Sequence, residues 1–333
     1  MKKLFLLLLF YPIYSITLFS QEHIVKFATV APEGSTWANV MKEYDAAIRK
    51  ESNGRLGFKI YFGGIQGDEK DVLRKIKLGQ LHSCGITGVG INEIAKKVRI
   101  LDSPFLFNSY EETDAVINKF SNDFRKNFED ENFILLGFAE VGFVYTFSNS
   151  EIKNISDLQK LKMWMWEGYP IAQSMFQEFK VSPISLSITE VLTSLQTNLI
   201  NAIYSPPLAA LALQWFTKVK YMLNIPLANS QGAIVISKNK FEKLPSDLQE
   251  ILLRNGKTYM EKLTKLSRED NKKSIETLKK NGIKITEITD KKLLSDFIEI
   301  GKRTRRKLVG KLYDEKFLNE VENEVTKIRS GKK

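Results

Sequence analysis

The chain has 333 residues, a formal net charge of +11 and a single cysteine, Cys84. This length is enough for two lobes of ordinary size, and one cysteine excludes an internal disulfide bond. A basic chain can bind nucleic acid, an anionic membrane or an acidic ligand. Here, however, the lysines and arginines are spread among many acidic residues. We therefore interpret the charge as that of solvated helix faces and expect no nucleic-acid partner.

Residues 1–20 have the pattern of a secretory signal peptide. Two lysines precede an apolar run from Leu4 to about Ile13, and the small residue Ser20 comes directly before Gln21. A membrane anchor is the alternative, but the run is shorter than the roughly 20 residues that a spanning helix needs. No cysteine lies near the cleavage point, so lipid attachment is not expected. The sequence predicts a periplasmic protein, exported by a cleaved signal peptide and without a lipobox cysteine.

After the signal peptide, strands and helices alternate along the first half of the chain. Residues 23–37 predict a buried strand, a turn and the start of a helix, and 55–64 alternates like a half-buried strand. Residues 68–79 predict a helix with acidic residues at its start and glycine at its end. A short strand then leads to the glycine loop 85–90, and 133–148 predicts an apolar strand with an interrupting turn.

The second half repeats this alternation. It contains the strand KMWMW (162–166), a helix, a strand, a second helix and the strand NAIYS (201–205), followed by the strand 232–238. A long helical stretch covers about 245–280, and a short strand and a charged helical tail close the chain. The alternation predicts an α/β fold with mainly parallel sheets. No low-complexity linker occurs, which indicates two lobes joined by several chain crossings.

Few groups in the sequence indicate catalysis or a cofactor. The loop GITGVG has glycines in the order G-x-x-G-x-G, the reverse of the dinucleotide fingerprint, although Asp102 lies downstream at a suitable distance for a ribose contact. The two histidines, His23 and His82, lie on separate predicted strands, and no HExxH, CxxC or GxSxG motif occurs. We therefore expect no catalytic residue, no metal site and no cofactor, and predict that the protein is not an enzyme. The glycine loop is then a strand-end loop whose exposed backbone can line a cleft.

Trp164 and Trp166 lie two residues apart on the predicted strand 162–166, so their side chains share one face of it. A sheet buried on both faces would readily explain one tryptophan. Two of them at the carboxyl end of a strand, just before a turn, occupy the place where open α/β sheets bind ligands. A ligand-lining role and a packing role both remain open from these residues alone.

Several segments in a fixed order resemble a known protein family. They are NGR before the strand 55–64, then DEKDVLRKIKLGQLH, LDSPFLFNSYEE, GFAEVGF, ISDLQKLKMW, SLQTNLINA and FEKLPSDLQEIL, between about residues 24 and 255. PFLF together with SLQTNLINA is the most specific combination. With these segments the chain resembles the extracytoplasmic solute receptors of tripartite ATP-independent periplasmic (TRAP) transporters, of the DctP type.

The resemblance implies a periplasmic binding protein fold with two α/β lobes, crossing strands and a long spanning helix. We expect lobe I to comprise 21–143 and 229–265, and lobe II to comprise 144–228 and 266–333 with the C-terminal helices. Such receptors hold a small-molecule solute in the cleft between the lobes and deliver it to TRAP membrane permease subunits. They perform no chemistry.

The chain departs from this family at the ligand position. After the segment that matches DLQKLKM, the receptors usually carry an arginine that grips a ligand carboxylate with two hydrogen bonds, whereas this chain has Trp164. A second basic position of the family corresponds to Val144, and its asparagine-containing stretch corresponds to Tyr204, Ser205 and Pro206. The resemblance therefore implies an atypical branch that lacks the carboxylate-binding arginine.

These departures change the expected ligand. A carboxylate left in a dry cleft without its partner costs several kcal/mol, whereas a buried tryptophan covers about 200 Å² of apolar surface. At about 25 cal/mol per Å² this favours an apolar ligand by up to roughly 5 kcal/mol. We therefore expect a hydrophobic or amphipathic solute, with a cation held by aromatic rings as a lesser option. The candidate ligand-binding residues are Glu33, Trp37, Thr87, Phe143, Val144, Tyr145, Trp164, Trp166 and Tyr204.

Alternatives to these assignments stay open. Trp37 can pack inside its lobe, Glu33 can simply favour the start of a helix, and we assign Trp215 to core or surface packing. The chain can also be a receptor-like scaffold that carries no solute and acts through a helical-repeat (TPR-type) periplasmic protein, because the resemblance extends to relatives without the arginine that work with such a partner. An exported enzyme, the third hypothesis, needs a cluster of titratable groups in the cleft.

Overall fold

The computed structural model describes residues 23–331, which contain a mixed seven-stranded sheet and a separate two-stranded sheet. The predicted signal peptide, residues 1–20, lies outside the described residues. The strands are β1 (His23–Thr29), β2 (Leu56–Tyr61), β3 (Ser83–Ile86), β4 (Phe133–Ser148), β5 (Trp164–Trp166), β6 (Ile184–Leu186), β7 (Ala202–Ser205), β8 (Tyr221–Ser237) and β9 (Lys284–Thr286).

Helices fill most of the segments between these strands. The longest has 35 residues and buries one face, from Leu248 to Leu278. It passes so close to β4 that a Cβ atom at Gly256 would lie 2.8 Å from the Leu136 carbonyl oxygen, so only glycine fits there. The helices are α1 (Thr36–Glu51), α2 (Glu69–Lys77), α3 (Gly88–Ile94), α4 (Tyr110–Lys119), α5 (Ser121–Glu129), α6 (Ile155–Leu158), α7 (Pro170–Phe179), α8 (Val191–Gln196), α9 (Pro207–Ala212), α10 (Lys238–Glu242), α11 (Ser246–Lys280), α12 (Lys291–Lys307) and α13 (Glu315–Arg329).

Two long antiparallel strands, β4 and β8, run through the middle of the large sheet. The strand order is β2-β1-β3-β8-β4-β7. The additional strand β9 pairs with the start of β8, whereas β3 pairs with its end. β1 pairs in parallel with β2 and β3, whereas β7 is antiparallel to β4. The predicted α/β class, crossing strands and long helix are confirmed. The large sheet is mixed rather than mainly parallel, because β8 is antiparallel to β3 and β4, and β4 is antiparallel to β7.

The crossing pair is irregular where it passes from one end of the sheet to the other. The register between β4 and β8 shifts between residues 135 and 137, 140 and 142, and 144 and 146. Gly142 has a φ of 126°, and a Cβ atom there would lie 2.4 Å from Asn271 Nδ2, so this position requires glycine. Bulges of this kind bend a strand and increase its twist. The two ends of the β4–β8 pair therefore lie in differently oriented parts of the protein.

The fold has two lobes, a first lobe built on β1–β3 and a second lobe built on β5–β7. In the first lobe, α1 and α11 pack on one face of the sheet, and α2 to α5 pack on the other. In the second lobe, α7 and α12 share one apolar cluster, while α8 and the segment after α9 belong to another. The last helix, α13, packs against α4 and α5 in the first lobe, although we expected it in lobe II. The boundaries proposed from the sequence otherwise remain a prediction.

None of the helices within residues 23–331 has the length and apolar character of a membrane span.

Candidate functional site

A cavity of about 170 Å³ lies between the two lobes. Its wall contains all four tryptophans of the chain, Trp37, Trp164, Trp166 and Trp215. A cavity of about 150 Å³ with apolar walls is large enough to bind benzene, so this one has room for a ring-sized apolar group. Further apolar side chains of the wall are Val144, Met175, Ile188, Leu208, Leu213 and Leu227.

The second lobe contributes an aromatic cluster centred on Trp164. The ring of Trp164 stacks on that of Tyr204, with centroids 5.1 Å apart and an interplanar angle of 18°. It also meets the edge of Trp215 at 5.3 Å and lies 6.0 Å from Trp166. The Trp164 indole N–H donates to the Leu186 carbonyl oxygen at 3.1 Å, across the β5–β6 pair. Stacking and this hydrogen bond together orient the ring in the cavity wall.

The first lobe contributes Trp37 from the first turn of α1. Ser35 caps this helix by accepting the Ala38 N–H at 3.2 Å, as expected for serine at an N-cap. The Trp37 ring lies against β8 at Gly232, where a Cβ atom would come within 2.6 Å of Trp37 Cη2. Glycine at this position therefore makes room for the tryptophan, whose side chain is part of the cavity wall.

The glycine loop that follows β3 is held by a buried carboxyl group, that of Glu69. Its Oε1 accepts hydrogen bonds from the backbone N–H and the hydroxyl of Thr87, both at 2.8 Å, and its Oε2 accepts the Gly90 N–H at 2.6 Å. Burial, reinforced by the charge of Asp68, raises the pKa of Glu69 to about 7. Glu69 thus positions Thr87 in the cavity wall but is itself not part of that wall.

Asp102 forms the polar end of the cavity. Its Oδ2 accepts hydrogen bonds from Arg99 Nη2 at 2.5 Å and from the Tyr169 hydroxyl at 3.0 Å, and its Oδ1 accepts the Gln231 N–H at 2.9 Å. Arg99 is fully buried behind Gly88, where a Cβ atom would lie 3.0 Å from its Nη2. The Arg99 guanidinium therefore neutralises Asp102 inside the protein.

The charge of the wall depends on which side chains line it. Among the described residues that line the cavity, none is arginine, lysine or histidine. Within residues 23–331, no cluster of histidine, cysteine and acidic side chains is arranged to hold a metal ion. The cavity can thus enclose an apolar body and exchange hydrogen bonds with a polar group, but none of its described lining side chains is positively charged. The Arg99 guanidinium lies behind Gly88 and is paired with Asp102.

Six of the nine candidate residues line the cavity, namely Trp37, Thr87, Val144, Trp164, Trp166 and Tyr204. Glu33 does not, because its exposed carboxylate forms an ion pair with Lys42 at 2.7 Å. Phe143 and Tyr145 do not line it either. Phe143 neighbours Val144 in a regular part of β4, where adjacent side chains point to opposite faces, and Tyr145 lies in the register shift between residues 144 and 146. Phe143 packs instead on Tyr110, with ring centroids 5.0 Å apart.

The sequence analysis missed Trp215, Tyr169 and Asp102 as wall residues. Trp215 begins a short 3-10 helix, Trp215–Lys218, where no helical or strand periodicity indicates which way a side chain points. Tyr169 precedes α7, and Asp102 ends another 3-10 helix, Lys96–Asp102. For Trp215, the rarity of tryptophan in the sequence could have indicated a place in the wall, because all four tryptophans line the cavity.

Two lobes that enclose a preformed, mostly apolar cavity, with two long strands crossing between them, define a binding protein for a small solute. The family model of the bacterial extracellular solute-binding proteins, family 7 (DctP), matches residues 27–309. The chain belongs to this family.

Relatives and solved structures agree with this membership. The 2,3-diketo-L-gulonate-binding periplasmic protein YiaO of Escherichia coli is 24% identical over 257 residues, which cover 77% of this chain and 78% of YiaO. A TRAP periplasmic solute binding protein from Desulfovibrio salexigens, with bound orotic acid, superposes with a TM-score of 0.85 at 17% identity, over 92% of this chain and 100% of that one. One from Haemophilus influenzae, with bound L-gulonate, gives 0.83 at 18% identity, over 91% and 99%. These structures share the two-lobed fold.

Proposed function

We propose that the protein is a periplasmic solute-binding receptor of a TRAP-type transporter, without enzymatic activity, whose cavity takes a hydrophobic or amphipathic solute. One observation carries the choice of solute: all four tryptophans line the cavity, and none of its described lining residues is basic. A simple carboxylate buried there would lose its hydration without gaining a charged partner, which costs several kcal/mol. An apolar ring against the tryptophans gains about 25 cal/mol per Å² of surface removed from water.

The contrast with the relatives supports this reading. The solutes named for them, such as L-gulonate, orotic acid and 2,3-diketo-L-gulonate, are acids. At the two positions where the family resemblance implies basic residues, this chain has Trp164 and Val144, and both are buried in the cavity wall. We therefore place the chain in a branch of the family that lacks the carboxylate-binding arginine.

Family membership also indicates the partners. A receptor of this kind delivers its solute to TRAP membrane permease subunits, and we propose the same for this chain. The scaffold hypothesis with a TPR-type partner is not carried further, because neither the described part of the chain nor the relatives named above offer an observation in its favour. The aromatic walls keep a cationic solute as a lesser option.

The test is to identify what the protein carries. The chain is expressed from Gln21, purified gently and denatured in organic solvent, and the released molecules are identified by mass spectrometry. Protein unfolded in guanidinium and refolded without ligand is the control, because it gives the background of adventitious molecules. A stoichiometric apolar or amphipathic molecule supports the proposal. A stoichiometric small carboxylate would overturn it, since another group would then have replaced the arginine.

A further inference from the structure

Asp68 begins helix α2 and has the ordinary role of an N-cap residue. Its Oδ1 accepts a hydrogen bond from the Glu69 N–H at 2.6 Å. The Asp71 carboxylate in turn accepts one from the Asp68 N–H at 3.2 Å. Aspartate is among the preferred residues at this position because its side chain satisfies a backbone donor that the helix leaves unpaired. These contacts all lie within the first lobe.

The second oxygen of the same carboxylate binds the other lobe. Asp68 Oδ2 accepts the Trp166 indole N–H at 3.0 Å, the Ser187 hydroxyl at 2.7 Å and the Ile188 backbone N–H at 3.1 Å. Trp166 ends β5, and the other two residues follow β6 directly. Three donors from the two-stranded sheet of the second lobe therefore converge on one oxygen atom of the first.

An N-cap residue does not need such contacts. Asp314, which caps α13, accepts one hydrogen bond from the described residues with its side-chain oxygens, that of the Phe317 N–H at 2.7 Å. Among the described residues, no lysine or arginine forms an ion pair with Asp68 at the same time, so its charge is balanced by N–H and O–H donors and by the start of α2. Hydrogen bonds to a charged acceptor are among the stronger ones in proteins. Three of the four hydrogen bonds described above that Asp68 accepts come from the second lobe.

Two of the three donors are connected to the cavity. Trp166 and Ile188 are wall residues, and both are held by Asp68 from outside the wall. The surrounding rim is closely packed as well, since a Cβ atom at Gly64 would lie 3.2 Å from Thr189 Cγ2 of the second lobe. When the lobes separate, Asp68 must lose these bonds, and Trp166 must lose the partner of its indole N–H.

We infer that Asp68 is a positioning residue that latches the cleft shut and, by the same bonds, sets Trp166 and Ile188 in the ligand wall. The inference rests on the proposed function only in taking the enclosed cavity as the solute site. The bonds that form the latch join protein groups only. Closing the lobes and completing the wall are thereby one event.

The experiment compares Asp68→Asn and Asp68→Ala with the wild type, all as the chain from Gln21, refolded free of ligand. Asparagine caps a helix about as well as aspartate. It has only one side-chain acceptor oxygen, whereas the Asp68 carboxylate accepts from four donors. Asp68→Asn therefore keeps the helix cap while weakening the bonds to the second lobe. Asp314→Ala is the matched control, because it removes an aspartate cap that makes no contact between lobes. Hydrogen exchange measured by mass spectrometry follows the segment 184–191, and small-angle X-ray scattering gives the radius of gyration.

We expect exchange in segment 184–191 to accelerate about tenfold or more in both Asp68 variants, because the Ile188 N–H loses a charged acceptor. The radius of gyration should increase in parallel, whereas Asp314→Ala should leave both readings at their wild-type values. Wild-type exchange and an unchanged radius in Asp68→Asn would overturn the latch. Since no solute is present, this outcome is distinct from a failure of the proposed function, which the identity of the bound molecule decides.

Discussion

Trp164 and Tyr204 stack face to face, with ring centroids 5.1 Å apart. These two residues stand at the positions where the family resemblance implies a carboxylate-binding arginine and an asparagine-containing stretch. On the proposed assignment to a branch without the arginine, the two changed positions contact each other as an aromatic pair. A pair of this kind contributes about 0.5–1.5 kcal/mol beyond its buried area, which links the two changes physically.

Trp164→Arg should destabilise the protein and abolish binding of an apolar solute. The guanidinium would be buried among Trp166, Tyr204 and Trp215, and an uncompensated buried charge costs about 3 kcal/mol or more. Urea denaturation measures the loss, and mass spectrometry of released molecules shows whether the solute is retained. Trp164→Phe is the control, since it keeps an aromatic ring and loses mainly volume and one hydrogen bond. If Trp164→Arg retained both stability and solute, Trp164 would not belong to the ligand wall.

Trp215→Ala should weaken solute binding and lower the free energy of unfolding by about 3–5 kcal/mol, the usual range for truncating a buried tryptophan. Trp215 is 3% exposed and supports Trp164 edge-on. Leu199→Ala provides the comparison, because Leu199 is 48% exposed and should change stability by less than about 0.5 kcal/mol. Chemical denaturation of both variants checks the difference. Equal effects would mean that Trp215 contributes no more than a surface side chain.

Glu69 should make stability fall as the pH rises from about 4.5 to 7. Its pKa in the folded protein is raised to about 7, mainly by burial, so between these values the native state binds more protons than the unfolded state. The linkage relation then makes the folded state lose up to roughly 3 kcal/mol, with the full loss reached above pH 7 and none below about pH 4.5. Unfolding free energies of the wild type and Glu69→Gln across this range measure it. The difference between the two proteins should change with pH, and a constant difference would contradict the prediction.

Tyr169→Phe should cost about 1–3 kcal/mol of stability, the range for leaving buried polar partners unsatisfied. The hydroxyl accepts a hydrogen bond from Arg99 and donates one to Asp102, so both lose a partner. Tyr145→Phe is the matched control, because the Tyr145 hydroxyl makes no hydrogen bond with a described residue. Thermal unfolding of both variants provides the measurement. A smaller loss for Tyr169→Phe than for Tyr145→Phe would show that the polar end of the cavity is not held by this hydroxyl.

Local patterns predicted the elements of this fold better than the contacts between them. Alternation along β5 is a property of the strand itself, so the shared face of Trp164 and Trp166 follows from their spacing. The same rule shows why Phe143 and Val144 do not face the same cavity. Asp68 is readable as a helix cap from its neighbours, but its bond to Trp166 joins positions 98 residues apart. Only the packed lobes bring such a pair together.

The crossing strands have a consequence for how the protein unfolds. β4 and β8 each take part in both lobes, and the first and last described segments of the chain meet in the first lobe through its sheet and α13. Neither lobe is one continuous stretch of chain, so neither can be cut out as an independent module. The whole molecule should melt as a single cooperative unit despite its two-lobed shape. In an architecture of this kind, exchanging a lobe would sever both shared strands, whereas substituting a wall residue leaves every connection between the lobes intact.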